Sequence, residues 1–248
     1  MNPQTYPVSA VTITSSDGFP LAAQVFDAGN RCSGVVLLAP ATGVPAGFYQ
    51  HFAGWLAANG LTTVTWDWRG VGGSAPESLR GFAATMMDWA CLDQPAVIDW
   101  ASERFRMPLI AIGHSFGGQA FGLADRADRF ARLVLFASGS AYWRLWPAPG
   151  RYLFRAAIGS WLLAARLFDY FPGRRLGVGA DLPKGVAQQW LRWCLQPDYH
   201  GNWEGHGRML APVLSYGFSD DRFAPLASRQ RLLDYYGGPK ELITVRPA

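Results

Sequence analysis

Short apolar runs alternate with segments of helical period along most of this chain. Val11–Thr14 and Leu21–Phe26 read as two strands joined at Ser16-Asp17-Gly18. Gly34–Ala39 (GVVLLA) is continuously apolar, the pattern of a strand buried on both faces. A helix is predicted over 48–59, stopped by Gly60, then a strand over Leu61–Trp66 and a glycine-rich turn at 70–73. A long helix over about 82–104 precedes the strand Leu109–Gly113, a helix over 116–125 and the strand Leu133–Ala137. The strand Val213–Tyr216, a helix from Leu226 to Tyr236 and the strand Leu242–Val245 complete the series. This alternation predicts a mostly parallel sheet flanked by helices.

Segment 139–210 interrupts the pattern. It is too long for a plain connection, it is helical, and it holds six of the 11 tryptophans: Trp143, Trp146, Trp161, Trp190, Trp193 and Trp203. We expect it to be a helical, aromatic-rich insertion folded over a core made of 1–138 and 211–248.

Composition narrows the function classes. With 50% hydrophobic and 14% aromatic residues, the 248-residue chain is not disordered and can bury one large core. Cys32, Cys91 and Cys194 lie far apart, so neither a disulfide framework nor a CxxC metal site is expected. The start lacks a charged, then apolar, leader, and no stretch of about 18 uncharged apolar residues exists. The expected location is therefore cytoplasmic. The net charge is +4, and segment 142–203 carries seven arginines and one lysine against three aspartates, so the remainder is slightly acidic. A nucleic-acid binder would show a denser basic stripe, and no nucleic-acid partner is expected.

The chemistry points to one turn. Strand 109–113 runs into Gly113-His114-Ser115-Phe116-Gly117-Gly118 and then a helix. This is the G-x-S-x-G elbow in the context it needs. The serine sits on a strained strand-to-helix bend, and the glycines two residues either side leave the required space. The helix N-terminus favours developing negative charge. Two further stretches stand out, Asp67-Trp68-Arg69-Gly70-Val71-Gly72-Gly73-Ser74 and Ala39-Pro40-Ala41-Thr42-Gly43. With the elbow, they make the chain resemble the α/β-hydrolase superfamily over nearly its whole length. The segments LLAPATGVPAGFY, WDWRGVGGS, YFPGRRLG and GFSDDRFAP look most like bacterial hydrolases of unassigned substrate, some labelled serine-aminopeptidase-like.

The resemblance implies an α/β-hydrolase fold with a helical cap, and Ser115 as nucleophile. It implies an oxyanion hole of two backbone N–H groups, Phe116 and, by position, Ala41, with Thr42 as the alternative. Asp67 and Arg69 are expected to brace their turn. The acid should follow strand Val213–Tyr216, where Asp220 and Asp221 stand. A proline four residues after the acid selects Asp221 through Pro225, whereas counting three on from Gly217 selects Asp220; we favour Asp221. The base should be a histidine after the last strand, but only Arg246-Pro247-Ala248 follow it. The expectation is that the catalytic histidine is missing from this chain. The choices are then a truncated sequence, a substitute histidine, or a non-catalytic relative. Without the usual closing helix, part of the sheet's apolar face should be uncovered and solubility poor.

Of the four histidines, His114 is expected to pack or hydrogen-bond beside Ser115, and His51 to lie at or near the surface. His200 and His206 are the ones with a route to the mouth of the site. Their spacing with Glu204 does not match H-E-x-x-H, so no zinc site is expected there, and the hydrolase resemblance implies no metal or cofactor. Trp143, Trp146 and Trp161 are the candidate walls of an apolar acyl pocket. Arg151, Arg155, Arg174 and Arg175 would suit an anionic substrate or a peripheral lipid contact. The expected partner is a small lipophilic acyl substrate. The expected function is hydrolysis of a lipophilic carboxylic ester through an acyl-enzyme, with thioester or amide left open. The rivals are a non-catalytic module gripping a hydrophobic ligand or partner, and an acyltransferase. The sequence leaves the oligomeric state open.

Overall fold

A computed structural model describes residues 6–247. One sheet has the strand order β1-β2-β4-β3-β5-β6-β9-β10. Its members are β1 (Val8–Thr14), β2 (Pro20–Phe26), β3 (Gly34–Ala39), β4 (Leu61–Trp66), β5 (Leu109–His114), β6 (Phe130–Phe136), β9 (Val213–Phe218) and β10 (Lys240–Val245). β1 and β4 run antiparallel to β2, and every other pairing is parallel. The helices α1 (Gln50–Ala58), α2 (Met86–Asp88), α3 (Gln94–Phe105), α4 (Phe116–Leu123) and α9 (Leu226–Tyr235) belong to this core. Between β6 and β9 come α5 (Gly150–Phe168), the short pair β7 (Tyr170–Phe171) and β8 (Leu182–Pro183), α6 (Gly173–Leu176), α7 (Lys184–Trp193) and α8 (Glu204–Arg208).

The uniformly apolar run at 34–39 is explained by its place. β3 sits between β4 and β5, and every residue in it is buried. One face of the sheet meets Leu37, Val64, Trp66, Trp68, Trp89 and Phe116. The other meets a smaller cluster under α1, with Val36, Leu38, Tyr49, Ala53, Leu56 and Ile112. The expected helix over 82–104 is corrected. It begins at Met86, behind a capping box of Thr85 and Asp88, and widens into a π turn over Trp89–Asp93. Pro95 gives the reason. Its ring cannot accept a regular turn below it, and the wider turn relieves the clash.

Beyond α1 the second face continues with Val134, Phe136, Leu214, Tyr216 and Ile243, all half-buried, while Phe218 and Val245 are exposed. Cross-strand pairing places them on one side, Val134 with Leu214 and Phe136 with Tyr216. These side chains form a partly exposed apolar strip along the last three strands.

The chain between β6 and β9 is fastened to loops at the C-terminal edge of the parallel strands. Ala180 N donates to Gly43 O (2.9 Å) beyond β3. Gly81 N donates to Asp169 Oδ2 (2.9 Å) and Met87 N to Gln189 Oε1 (2.9 Å), beyond β4. Trp146 Nε1 donates to Arg222 O (2.8 Å) beyond β9. Its end descends the flank of α4. There Trp203 stacks on Tyr235 (3.8 Å between centroids), and His206, fully buried, faces Tyr236 (5.0 Å) and lies against Gly122.

Burial lowers the pKa of His200 to about 3, helped by repulsion from His206, and that of His206 to about 4. Both rings are therefore neutral in the fold near pH 7. Unfolded, each titrates near 6.5. Their contribution to stability is intact above pH 6.5 and is lost as the pH falls from there toward the folded values. Each histidine adds a slope of about 1.4 kcal/mol per pH unit within that window. Denaturant unfolding should show stability declining from pH 7 to pH 5, with a shallower decline in His206→Leu; a flat profile in the parent would contradict this account.

Candidate active site

Ser115 leaves β5 and enters α4 with φ +52° and ψ −116°, a backbone conformation rare for any residue but glycine. Such a residue costs about 1–3 kcal/mol and persists only where its surroundings impose it. Here the imposition is visible. Ser115 N donates to Phe136 O on the neighbouring strand (2.9 Å). A Cβ on Gly113 would strike the backbone of Gly118, and one on Gly117 would strike the Ala39 carbonyl. Beneath the turn, Trp68 and Trp89 stack at 5.6 Å, and Phe116 lies 5.9 Å from each. Ser115 itself is only half-buried. The strand-to-helix bend raises its hydroxyl at the C-terminal edge of the sheet.

The loop after β3 distinguishes two donors that the sequence left together. Ala41 N–H is directed to Tyr49 Oη (2.9 Å) and is buried, so it has an internal acceptor. Thr42, the next residue, is half-exposed, and its N–H has no acceptor among the described residues. Phe116 N–H, at the first turn of α4, likewise has none. The sequence placed Ala41 first and Thr42 second; of the two, Thr42 is the one whose N–H is without an internal acceptor. Tyr49 was not anticipated. Its hydroxyl also shares a 2.8 Å hydrogen bond with His114 Nδ1, so one phenol joins the loop after β3 to the residue preceding Ser115. Burial raises the Tyr49 pKa to about 12, against the pull of the Ala41 N–H, and burial lowers that of His114.

The turn after β4 is a scaffold. Asp67 Oδ1 accepts from Ala46 N (2.6 Å) and Oδ2 from Gly73 N (2.8 Å), so it holds the loop after β3 from below. Burial raises its pKa in spite of both bonds. Arg69 Nε meets Asp93 Oδ1 (2.7 Å), its Nη1 meets Asp17 Oδ2 (2.6 Å), and its carbonyl accepts from Trp89 Nε1 (2.9 Å). Asp93 is wholly buried, which raises its carboxyl pKa, while Arg69 holds that of Asp17 well below its ordinary value.

The two aspartates after β9 also separate. Asp221 is half-buried, and its Oδ1 accepts from Phe223 N (2.7 Å) and Ala224 N (3.1 Å). Its charge acts on His114, partly opposing the lowering by burial. Asp220 is exposed and makes no side-chain bond among the described residues. Trp146, bonded to Arg222 beside Asp221, is at this rim. Trp143 lies beside Tyr152 (6.4 Å). Trp161 packs on Phe171 inside the insertion (5.9 Å).

The histidines fall in three places. His51 is exposed on α1, and His114 is engaged by Tyr49. His200 and His206, read as having a route to the mouth of the site, lie instead along the flank of α4. Gly122, which His206 covers, is about 9 Å of helical rise below the elbow. Among the described residues, no histidine hydrogen-bonds Ser115 or Asp221, and no group of three His, Cys, Asp or Glu side chains is placed to hold a metal. No described helix is long and apolar enough to cross a membrane. An open cavity of about 500 Å³ is lined by Ile13, Cys91, Trp100 and Arg126, and does not include Ser115.

Residues 30–168 match the model of the family described as serine aminopeptidase, S33. The chain belongs to this family. It is thus a member of the α/β-hydrolase superfamily, and its mostly parallel eight-stranded sheet is that fold. No curated protein matches it in sequence. Among solved structures it is similar to DcsB in complex with its substrate analogue (15% identity, TM-score 0.69, 98% of this chain and 91% of that one). It is also similar to a thermostable carboxyl esterase from Bacillus coagulans bound to glycerol (11% identity, TM-score 0.69, 98% and 91%). Est1E from Butyrivibrio proteoclasticus with bound ferulic acid follows (18% identity, TM-score 0.66, 96% and 89%).

The tight packing of the elbow sets an expected outcome. Gly117→Ala forces a methyl group into the Ala39 carbonyl, and overpacking of this kind costs about 1–3 kcal/mol. Thermal unfolding should show a lower melting temperature than for Gly47→Ala, where a Cβ meets nothing within 4 Å.

Proposed function

We propose that the chain is a serine hydrolase acting on lipophilic carboxylic esters, with Ser115 as the nucleophile. The observation that carries this reading is the strained, half-exposed Ser115, with N–H groups at Phe116 and Thr42 that have no acceptor among the described residues. Attack by Ser115 Oγ on the ester carbonyl would place negative charge on the carbonyl oxygen, where those donors and the α4 N-terminus stabilise it. The alcohol leaves, an acyl-serine forms, and water then releases the acid.

Asp221 suits the role of acid because its oxygen is oriented by two backbone donors and its charge reaches the elbow. The imidazole that would relay the proton is not supplied by His51, His200 or His206, and His114 is held by Tyr49. The half-buried aromatic Trp146, beside the acid loop, and Trp143 support a lipophilic acyl group. The esterase character of two structural neighbours is consistent with this choice. Acyl transfer to an alcohol uses the same acyl-serine and differs only in the acceptor.

A fluorophosphonate probe tests the nucleophile without a chosen substrate. The parent should label, and Ser115→Ala should not. Asp221→Asn, which removes the charge that reaches His114 beside Ser115, should slow labelling or p-nitrophenyl ester turnover more than Asp220→Asn does. Lipid binding without any labelling of the folded parent would favour the non-catalytic module instead. In Tyr49→Phe the bridge from Ala41 to His114 is lost; labelling should slow, and the buried Ala41 N–H left without its acceptor should lower stability by about 1–3 kcal/mol.

A further inference from the structure

The outward face of α5 is divided in a way that the hydrolase reading does not use. At about 100° per residue, Tyr152, Ala156, Leu163 and Leu167 fall on one stripe about 60° wide, with Leu153 at its edge. Leu153, Leu163 and Leu167 are 73%, 56% and 74% exposed, which is unusual for leucine on a helix that already buries Ile158 and Ala165 on its opposite side. Beside it stand the exposed Arg155 and Arg166, with the half-buried Arg151 further round the helix in its first turn. The cation–π contact of Arg175 with Phe168 (5.8 Å to the ring centroid) brings α6 to the end of the same helix. There Arg174 and Arg175 are exposed, as are Leu176 and Val178. Residues 146–168 contain no acidic side chain. Among the described residues no carboxylate pairs with the side chain of Arg151, Arg155, Arg166, Arg174 or Arg175.

We propose that this face, the leucine stripe of α5 with its flanking arginines and α6, docks on the surface of an anionic lipid bilayer. The chemistry selects that occupant. Exposed leucines gain by entering the acyl boundary, and adjacent guanidinium groups gain by meeting lipid phosphates. A second copy seated symmetrically would set five unpaired arginines against five more, which is repulsive. A nucleic-acid backbone would meet the arginines and leave the leucines without a partner. The face belongs to the segment fastened over the Ser115 edge, so docking would hold that edge near the lipid. The proposal does not depend on Ser115 chemistry, and its test reads binding, not turnover.

Co-sedimentation with phosphatidylcholine vesicles, with and without phosphatidylglycerol, is the experiment. The parent should sediment with the anionic vesicles only, and high salt should release it. Arg155→Gln and Arg166→Gln should each weaken partitioning about fivefold. Leu163→Ser with Leu167→Ser should weaken it further while leaving the melting temperature unchanged, since these side chains are exposed. Equal sedimentation with neutral and anionic vesicles, or none with either, would overturn the assignment. So would binding to soluble polyglutamate that matches the anionic vesicles and ignores the leucine substitutions, because that marks an acidic protein partner. The lipid and salt arms use the parent alone, so they decide the matter even where a variant fails to fold.

Discussion

The site depends on one steric constraint, the backbone bend at Ser115. A serine with φ +52° is tolerated because three neighbouring chains close around it. The Ala39 carbonyl abuts Gly117, Gly113 abuts Gly118, and Phe136 O accepts the serine N–H. Each contact comes from a different strand or from the helix. β3, β5 and β6 must therefore be in register before the bend can exist, and the continuous burial of β3 is what secures that register. The hydroxyl's position is thus a property of the sheet, not of the loop that displays it.

The elbow was legible in the sequence because its requirements are local. Glycine is needed at two fixed offsets, with an apolar strand before and a helix after. The paired strands and the turn of Asp67 and Arg69 were legible for the same reason. Other features are tertiary. Whether Ala41 or Thr42 offers its N–H depends on a tyrosine eight residues on, brought back by the turn that starts α1. Asp93 reads as an ordinary helical residue and yet neutralises Arg69 at the centre of the fold. The adjacent aspartates at 220 and 221 have the same chemistry in sequence. Only the loop's backbone, which aims two N–H groups at Asp221, tells them apart.

The histidines show the same limit. Neither spacing nor composition near 200–206 reveals that the segment turns down the flank of α4, because that path is set by docking of Trp203 on Tyr235 and of His206 on Gly122. Glycine at 122 leaves a flat patch on α4, and the imidazole fills it. The tryptophans of the insertion look alike in sequence, and their different packing partners are tertiary. Trp146 meets the loop after β9, Trp161 packs on Phe171, and α5 turns leucines outward.

Asp67 ties this arrangement into one piece. A single carboxylate grips the chain on both sides, at Ala46 and at Gly73, while Trp68 Nε1 donates to the Pro40 carbonyl (3.0 Å). The segment offering Thr42 cannot widen or shift unless the entire 67–74 bend travels with it. Such a cradle behaves as a fixed gauge. Under the proposed function, accommodation of bulkier or slimmer guests would fall to the roof, whose hold on the floor below includes isolated hydrogen bonds such as Trp146 to Arg222. Diversification of what this scaffold accepts should accordingly accumulate in the roof, while the gauge beneath it stays unaltered.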